Sequence, residues 1–530
     1  MSIKKVIEFT DFNWFYAKYK PLTPYGIDHK ENYNFITDKI ELESIHSSTL
    51  AMIELINKDE HTVVKVEHHL SKIDRLNAFD KTSFDLTDLF LIKKLLVHYK
   101  AITSYLDNKW PSQTNIINRV QILLDTLSPK KDFNESFYLS SAFDDGLKAL
   151  RIKIDSLNTE LSNIRQQTID ELIDLYQLDF NHREFILVET SKIDQLNANH
   201  LIKEFYDSNL LRIKPIYPNE YTMGLIEKEE LLNQEAACEK KVLDRLSEAI
   251  LEEEKHLKSC LKTIEELDIC IAKARLALKY SLTKPELNHN TIEVNEGNYL
   301  PLKIKHEKAG LKYQPLTASF DSNSILLSGS NMGGKTILFK TLGFLQLLSQ
   351  MGFFVPAIHF KTQVYHQINV LGVAQLQNID GLSSYGQEIH NLSNALSQNG
   401  PMLLLVDELA KTTNATEAKA ILYAVLKYVA THNNISGFFS THFINIPPIS
   451  GVLKYRMRGL DKQAYLSFCE QHNGHDIKEK IKLINSFMQY EVEKDEGKPH
   501  QFDALLIADL LGLDSEIMNY ANEFLDTKYD

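Results

Sequence analysis

The octet GSNMGGKT, Gly329 to Thr336, constrains this chain more than any other stretch. It fits G-x-x-x-x-G-K-[ST], a pattern that works only where a strand feeds a glycine-rich turn that opens a helix. Both flanks qualify. Ser324 to Leu327 is an apolar run that reads as a buried strand, and Ile337 to Gln350 holds no proline and reads as a helix. Gly329, Gly333 and Gly334 let backbone amides approach an anion, because no Cβ intrudes. Ser330, Asn331 and Met332 complete the loop. The loop amides and the helix N-terminus supply fixed partial positive charge. Lys335 is expected to reach the β- and γ-phosphates of ATP, and the Thr336 hydroxyl to ligate Mg²⁺.

The partners such a loop needs follow in a workable order. Pro401 to Val406 is an apolar run that ends in Asp407-Glu408. A fully buried parallel strand looks like this, and its C-terminal end is where α/β sheets place ligands. Asp407 is expected to orient the metal, and Glu408 to poise a water for in-line attack. A third strand, Ile435 to Ser440, ends in Thr441-His442, where the histidine could sense the γ-phosphate or simply face solvent. The expected catalytic set is Glu408, His442 and Lys335.

In detail these residues resemble the MutS family. Ser330 to Lys335 is similar to the family's P-loop, in which an Asn-Met pair precedes two glycines. The resemblance continues through Gly352 to Ala357, through Ser383-Ser384-Tyr385-Gly386-Gln387-Glu388 (where the family carries S-T-F-x-x-E), through Asp407-Glu408, and through Ser440 to Phe443. It closes at Ala504 to Ala508, Leu511 to Leu513 and Ile517. Ordered motifs over roughly 200 residues are far more specific than a lone P-loop. The resemblance implies an ABC-class ATPase that dimerises, as a homodimer or with a related subunit. Each nucleotide would then lie between one P-loop and the Ser383-Ser384 segment of the other subunit.

Outside that region the chain reads as helical and multidomain, as its 530 residues allow. Residues 1 to 130 read as mostly helical, and the resemblance implies that they are the first half of the family's core or lever domain, with Thr87 as N-cap of a helix to Tyr105 that buries Leu89, Leu91, Ile92, Leu95 and Leu96. Leu147, Leu150, Ile154, Leu157, Leu161 and Ile164 form a coiled-coil seam. Ile226 to Lys284 contains no Gly or Pro and would span about 90 Å as one rod. The expectation is an antiparallel coiled-coil lever over residues 131–288, with a small clamp-like tip at about 178–225. Arg183 to Val188 and Leu210 to Tyr217 would be the strands of that tip. The family's clamp grips DNA, yet from Asn181 to Leu225 this tip carries five cations against six acids. Phosphate contact needs local positive charge, and the net charge of −13 offers no global attraction to nucleic acid.

Residues 289–530 read as the C-terminal α/β ATPase domain with a helical dimerisation segment. Tyr313 could stack on adenine or pack in the core. Leu409 to Ala415 departs from the family's D-E-x-G-R-G-T, which alters the loop that couples ATP to the neighbouring subunit. Lys494 to Pro499 reads as a loop. Too few residues precede the lever to hold the family's mismatch-reading and connector domains. Cys238, Cys260, Cys270 and Cys469 have no zinc spacing and read as reduced cytosolic thiols. No signal peptide or run of eighteen apolar residues is seen, so a cytoplasmic protein without a membrane partner is expected. The function implied is a Mg²⁺-dependent, mismatch-repair-related ATPase that binds DNA. The alternative is a protein-remodelling ATPase, such as a reactivating factor for an adenosylcobalamin-dependent aminomutase, acting on a protein client.

Overall fold

The computed structural model describes the chain except residues 1, 33–34, 78–80, 108–113, 132–133, 181–182, 192–198, 289, 330–332, 373–382, 411–412, 444, 462, 465–485, 497–504, 506–507, 509–511 and 530. By packing it divides into two units, one of residues 1–64 with 265–530 and one of residues 65–264. Among the described residues, no helix is long and apolar enough to cross a membrane.

The discontinuous unit opens with helices α1 (Ser2–Phe9), α2 (Phe12–Tyr16), α3 (Pro24–Glu31) and α4 (Lys39–Lys58). Its β/α part is built on parallel strands buried on both faces. Numbering the chain's strands in order, these are β6 (Ser324–Ser328), β8 (Gln367–Leu371), β9 (Met402–Asp407) and β10 (Ile435–Ser440). With β11 (Val452–Leu460) and the antiparallel β12 (Met488–Lys494), they form one sheet in the order β12-β11-β6-β10-β9-β8. β10 lies between the glycine-loop strand and the Asp-Glu strand, with Ser440 level with both Leu327 and Asp407. That register brings the ends of three strands together, where the sequence placed its phosphate loop, its acids and its histidine. A second small sheet, β5-β4-β7, comprises β4 (Ile292–Gly297), β5 (Leu316–Phe320) and β7 (His359–Lys361).

Helix α12 (Lys335–Gln350) leaves the glycine loop and is buried nearly all round, because the amino-terminal helices cover the side away from the sheet. Val6, Phe9, Phe12 and Phe15 share one core with Leu338, Phe339, Phe344 and Phe353. Phe15 meets Phe344 and Phe353 edge-on at 5.9 and 5.5 Å, a geometry that aligns ring edges with π faces. The far end of α12 is closed by buried amides. Gln350 donates to Ile36 O and Tyr365 O at 2.9 and 2.7 Å, and accepts from Tyr365 N and from Gln346. The buried Lys273 ammonium donates to Met351 O.

The other unit contains α6 (Leu86–Leu106), whose apolar face is the expected one, with Leu91 only half-buried. Its cap is Asp85 rather than Thr87: Asp85 and Asp88 form a reciprocal capping box, two residues upstream. Helices α8 (Asp145–Tyr176) and α9 (Asn219–Glu252) lie side by side and antiparallel. Arg151 of α8 binds Glu235 and Glu239 of α9 at 2.6 and 2.5 Å, and Leu161 packs against Gly224. The seam residues, Leu147 to Ile164, alternate buried and half-buried along α8. The second helix differs from a single rod. It starts at Asn219, seven residues early, and takes in Gly224, where α8 approaches closely: a Cβ there would fall 2.8 Å from Leu161. It stops at Glu253, and α10 runs Glu254–Tyr280.

The tip beyond α8 is a three-stranded antiparallel sheet, β1-β3-β2, of β1 (Ile186–Glu189), β2 (Leu201–Phe205) and β3 (Leu210–Pro215). Two strands fall where expected, and the third, Leu201–Phe205, is an addition. Ile213 and Leu201 pack on Leu172 and Phe180.

Candidate nucleotide site

The site grows from the C-terminal edge of the large sheet. Gly329 and Gly334 hold φ of 138° and 93°, values that L side chains rarely adopt. A Cβ on Gly334 would lie 3.0 Å from the Tyr490 ring, and one on Gly329 would lie 3.1 Å from Met457. The loop is therefore glycine for two reasons, conformation and close approach. Ser330, Asn331 and Met332 lie outside the described residues.

Lys335, at the first position of α12, is 4% exposed and donates from Nζ to Gly329 O at 2.6 Å. Burial lowers its pKa from the ordinary lysine value, and the Glu408 and Asp407 carboxylates act the other way. Thr336 donates from Oγ1 to Asp407 Oδ2 at 2.6 Å. The other oxygen, Oδ1, accepts from Ser440 Oγ at 2.6 Å, and Ser440 Oγ in turn accepts the Glu408 amide at 3.0 Å. One carboxylate thus ties together the ends of β9 and β10 and the start of α12. Ser440 is fully buried. Sequence reasoning read it only as a strand end within a family-like segment, since a serine there has no assignable role until register sets it beside an aspartate.

Glu408 follows with φ of 60°, and its Oε1 lies 3.7 Å from His442 Nδ1. Glu408 is partly exposed and His442 half-exposed. The next residues adopt the unusual backbone without glycine: Ala410 has φ of 59°, and its amide donates to Glu388 Oε1 at 3.1 Å. Lys411 and Thr412 are outside the described residues. Gly372, at the end of β8, touches this edge so closely that a Cβ would lie 1.8 Å from Asp407 O.

Beside the loop a cavity of about 350 Å³ is lined by Leu302, His306, Tyr313, Gln314, Met457 and Tyr490, with the first turn of α12 as its floor. That volume falls in the range of small-molecule sites. The Tyr313 hydroxyl accepts the Tyr299 amide at 2.7 Å, and burial pushes its pKa up to about 12. Tyr313 is thus a fixed wall of the cavity. Tyr490 faces it from β12, held by its own amide donating to Gln314 Oε1 at 3.0 Å. Its strand went unread because half-exposed positions bearing Glu491 and Glu493 look like loop.

Ser383 and Ser384 are exposed at the start of α13 (Ser384–Leu396), where Ser383 accepts the Gly386 amide at 3.2 Å as N-cap. Leu382, before it, is outside the described residues, as are Cys469, Ala504, Leu506, Ile507 and Leu511. Cys238, Cys260 and Cys270 are free thiols. Among the described residues, no cluster of three His, Cys, Asp or Glu side chains could hold a metal ion. The oxygen pair Thr336–Asp407 suits a cation that arrives with phosphates and keeps several waters, as Mg²⁺ does.

Comparison with known proteins agrees with this geometry. Residues 325–526 match the MutS domain V family. The chain is 24% identical over 446 residues to the endonuclease MutS2 of Acetivibrio thermocellus, covering 79% of this chain and 52% of that protein. It is 22% identical over 495 residues to the DNA mismatch repair protein MutS of Clostridium botulinum, covering 89% and 49%. It is 30% identical over 215 residues to the endonuclease MutS2 of Symbiobacterium thermophilum, covering 39% and 26%. The chain spans about half the length of the first two relatives.

Proposed function

Taking as premise that the chain is of the MutS family, with a MutS domain V over residues 325–526, we propose that it binds and hydrolyses ATP. The observation that carries this is the Asp407 carboxylate, held between the Thr336 and Ser440 hydroxyls beside the buried Lys335. Lys335, Gly333, Gly334 and the start of α12 would hold the phosphates. The cavity between Tyr313 and Tyr490 would take the base. Thr336 and Asp407 would hold Mg²⁺, which when bound neutralises phosphate charge and orients the terminal group. Glu408 accepts a proton from the attacking water. His442, 3.7 Å from that carboxylate, holds it toward the site. The backbone amide of Glu408 is fixed through Ser440, so the general base and the metal ligand move together.

In this reading the protein works as a dimer in the cytoplasm, in a process related to mismatch repair, with Ser383 and Ser384 facing the nucleotide of the other subunit. Residues 1–130, 131–288 and 289–530 serve as core, lever with tip, and ATPase. A protein client in place of DNA is favoured by one feature of the tip: Glu204 binds Lys214 at 2.7 Å and Arg212 at 3.6 Å, so two of its cations are already neutralised.

The test is turnover by the purified Glu408→Gln protein. ATP binding should persist while hydrolysis falls by about 10²-fold or more, the scale of a lost general base. Hydrolysis at the parent rate would refute the assignment.

A further inference from the structure

The segment that carries Glu408 is held in a conformation its sequence does not favour. Glu408 and Ala410 both sit in the left-handed region, at φ of 60° and 59°, with only Leu409 between them. Neither has the freedom of glycine, and such residues persist only where surrounding structure over-determines them. Leu409 and Ala410 are buried in a cluster with Leu392 and Ala395 of α13 and with Ala418 and Leu422 of the following helix, α14 (Ala415–Ala430). Apolar packing fixes where this turn lies. It does not fix which way its peptide planes point.

The polar contact that does so comes from Glu388. This glutamate lies on α13 one turn before Leu392, is only 8% exposed, and accepts the Ala410 amide at 3.1 Å. A carboxylate accepting a backbone amide makes a stronger and more directional bond than a neutral acceptor. From the other side Ser440 Oγ accepts the Glu408 amide. The turn is thus gripped at its first and third residues by two side chains from different elements, with the general base projecting from the first.

We propose that Glu388 is a positioning residue for ATP hydrolysis: through the Ala410 amide it holds the left-handed turn that aims Glu408. This rests on the hydrolytic reading above. It has a regulatory corollary, because Glu388 is on the same helix whose exposed first turn carries Ser383 and Ser384. A shift of α13 is passed to the general base of the same chain through one hydrogen bond.

The experiment uses the full chain and compares the parent with Glu388→Leu, Glu388→Gln and each combined with Ala410→Gly. Glu388→Leu removes the acceptor at similar volume and should lower kcat about tenfold to a hundredfold, the scale of a misplaced catalytic group. KM for ATP should stay within about twofold, because Lys335 and the loop are untouched. Glu388→Gln keeps an acceptor and should fall between the two. Ala410→Gly should restore most of the lost kcat in either background, since glycine holds a positive φ unaided. If the leucine variant does not fold, recovery of Glu388→Gln by Ala410→Gly carries the test. A kcat within about twofold of the parent in Glu388→Leu, or a loss that appears in KM, or no recovery by glycine in a folded variant, overturns the proposal. Amide exchange over residues 408–413 gives a readout independent of activity and should quicken in Glu388→Leu. Unchanged exchange overturns the Glu388 contact while leaving hydrolysis standing. Absence of any Glu408-dependent turnover in the parent overturns the hydrolytic reading itself.

Discussion

Two regions of this chain gather charged side chains on the ends of regular elements, and they use them in opposite ways. At the edge of the large sheet, Lys335 donates to a carbonyl of its own loop, and Asp407 is held by two hydroxyls. Its charge is braced by neutral groups. At the tip, Glu204 binds Lys214 and Arg212 directly, and the Arg212 guanidinium lies over the Phe185 ring at 4.6 Å. Charge there is cancelled by charge. The first arrangement stores electrostatic potential for a ligand, and the second removes it from the surface. Net charge does not distinguish the two, whereas the chemistry of each residue's partner does.

The sharpest way to break that contrast is at Lys335. Lys335→Ala leaves the Asp407 bridge in place but takes the cation from the phosphate loop. Calorimetry should show ATP affinity reduced by up to about 5 kcal/mol, the scale of truncating one partner of a buried charged contact. Near-parental affinity would mean that the potential stored at the sheet edge is not what holds nucleotide.

A second test separates buried from exposed titration. His46, on α4, is fully buried, and burial first, then the Lys273 and Lys284 ammonium groups, push its pKa from 6.5 to about 4. The folded protein keeps it neutral while the unfolded chain takes up a proton below pH 6.5. Stability is therefore full above pH 6.5 and is lost as pH falls toward 4, by about 3 kcal/mol in all. Denaturant melts of the parent and of His46→Leu across that range should show the parent falling more steeply than the variant, in which His69 and His98 still contribute a shift of the same sign. Parallel curves would remove His46 as the cause. No comparable contribution is expected from the tip, where Glu204 has its pKa lowered chiefly by the Lys214 hydrogen bond but is open to solvent.

The smallest expected effect converts the tip toward the other arrangement. Glu204→Gln frees Lys214 and Arg212 without changing the sheet. Duplex binding, expected to be feeble in the parent, should strengthen modestly, and the slope of log affinity against log salt should steepen by up to about two units at about 0.9 per phosphate. A parent that already binds matched duplex tightly at physiological salt, with a steep slope, would contradict the neutralised reading of the tip.

The parts of the nucleotide site legible in the sequence were those in which a local pattern carries its own physics. Gly329, Gly334, Lys335 and Thr336 announce a strand–loop–helix, and Asp407 stands out as an acid ending a continuous apolar run. What stayed hidden depends on register and burial. Ser440 and Glu388 were legible only as members of family-like segments: the role of Ser440 comes from β10 pairing with both of its neighbours at that level, and that of Glu388 from the packing of its helix on a turn. β11 and β12 were missed because their outward positions carry Arg456, Arg458, Glu491 and Glu493. Cross-strand pairing of Arg456 with Glu493 makes strands of segments whose charges, taken alone, argue for loop. In the other unit, helical periodicity located the buried face of α6 and the seam of α8. The interruption at Glu253 has no marker in composition, and the close approach at Gly224 reads in isolation as a weak point in a helix.

The amides at the far end of α12 bear on how this protein can be cut. Ile36 supplies both a donor and an acceptor to Gln350, and Phe9, Phe12 and Phe15 cover the helix that begins with Lys335. A fragment starting at residue 289 would carry the whole phosphate loop and both acids, yet it would expose a row of aromatic faces and leave Gln350 without its two bonds to Ile36, keeping those to Tyr365 and Gln346. The unit that carries the phosphate loop and both acids is a two-piece object in the gene, with its parts separated by the entire 65–264 unit.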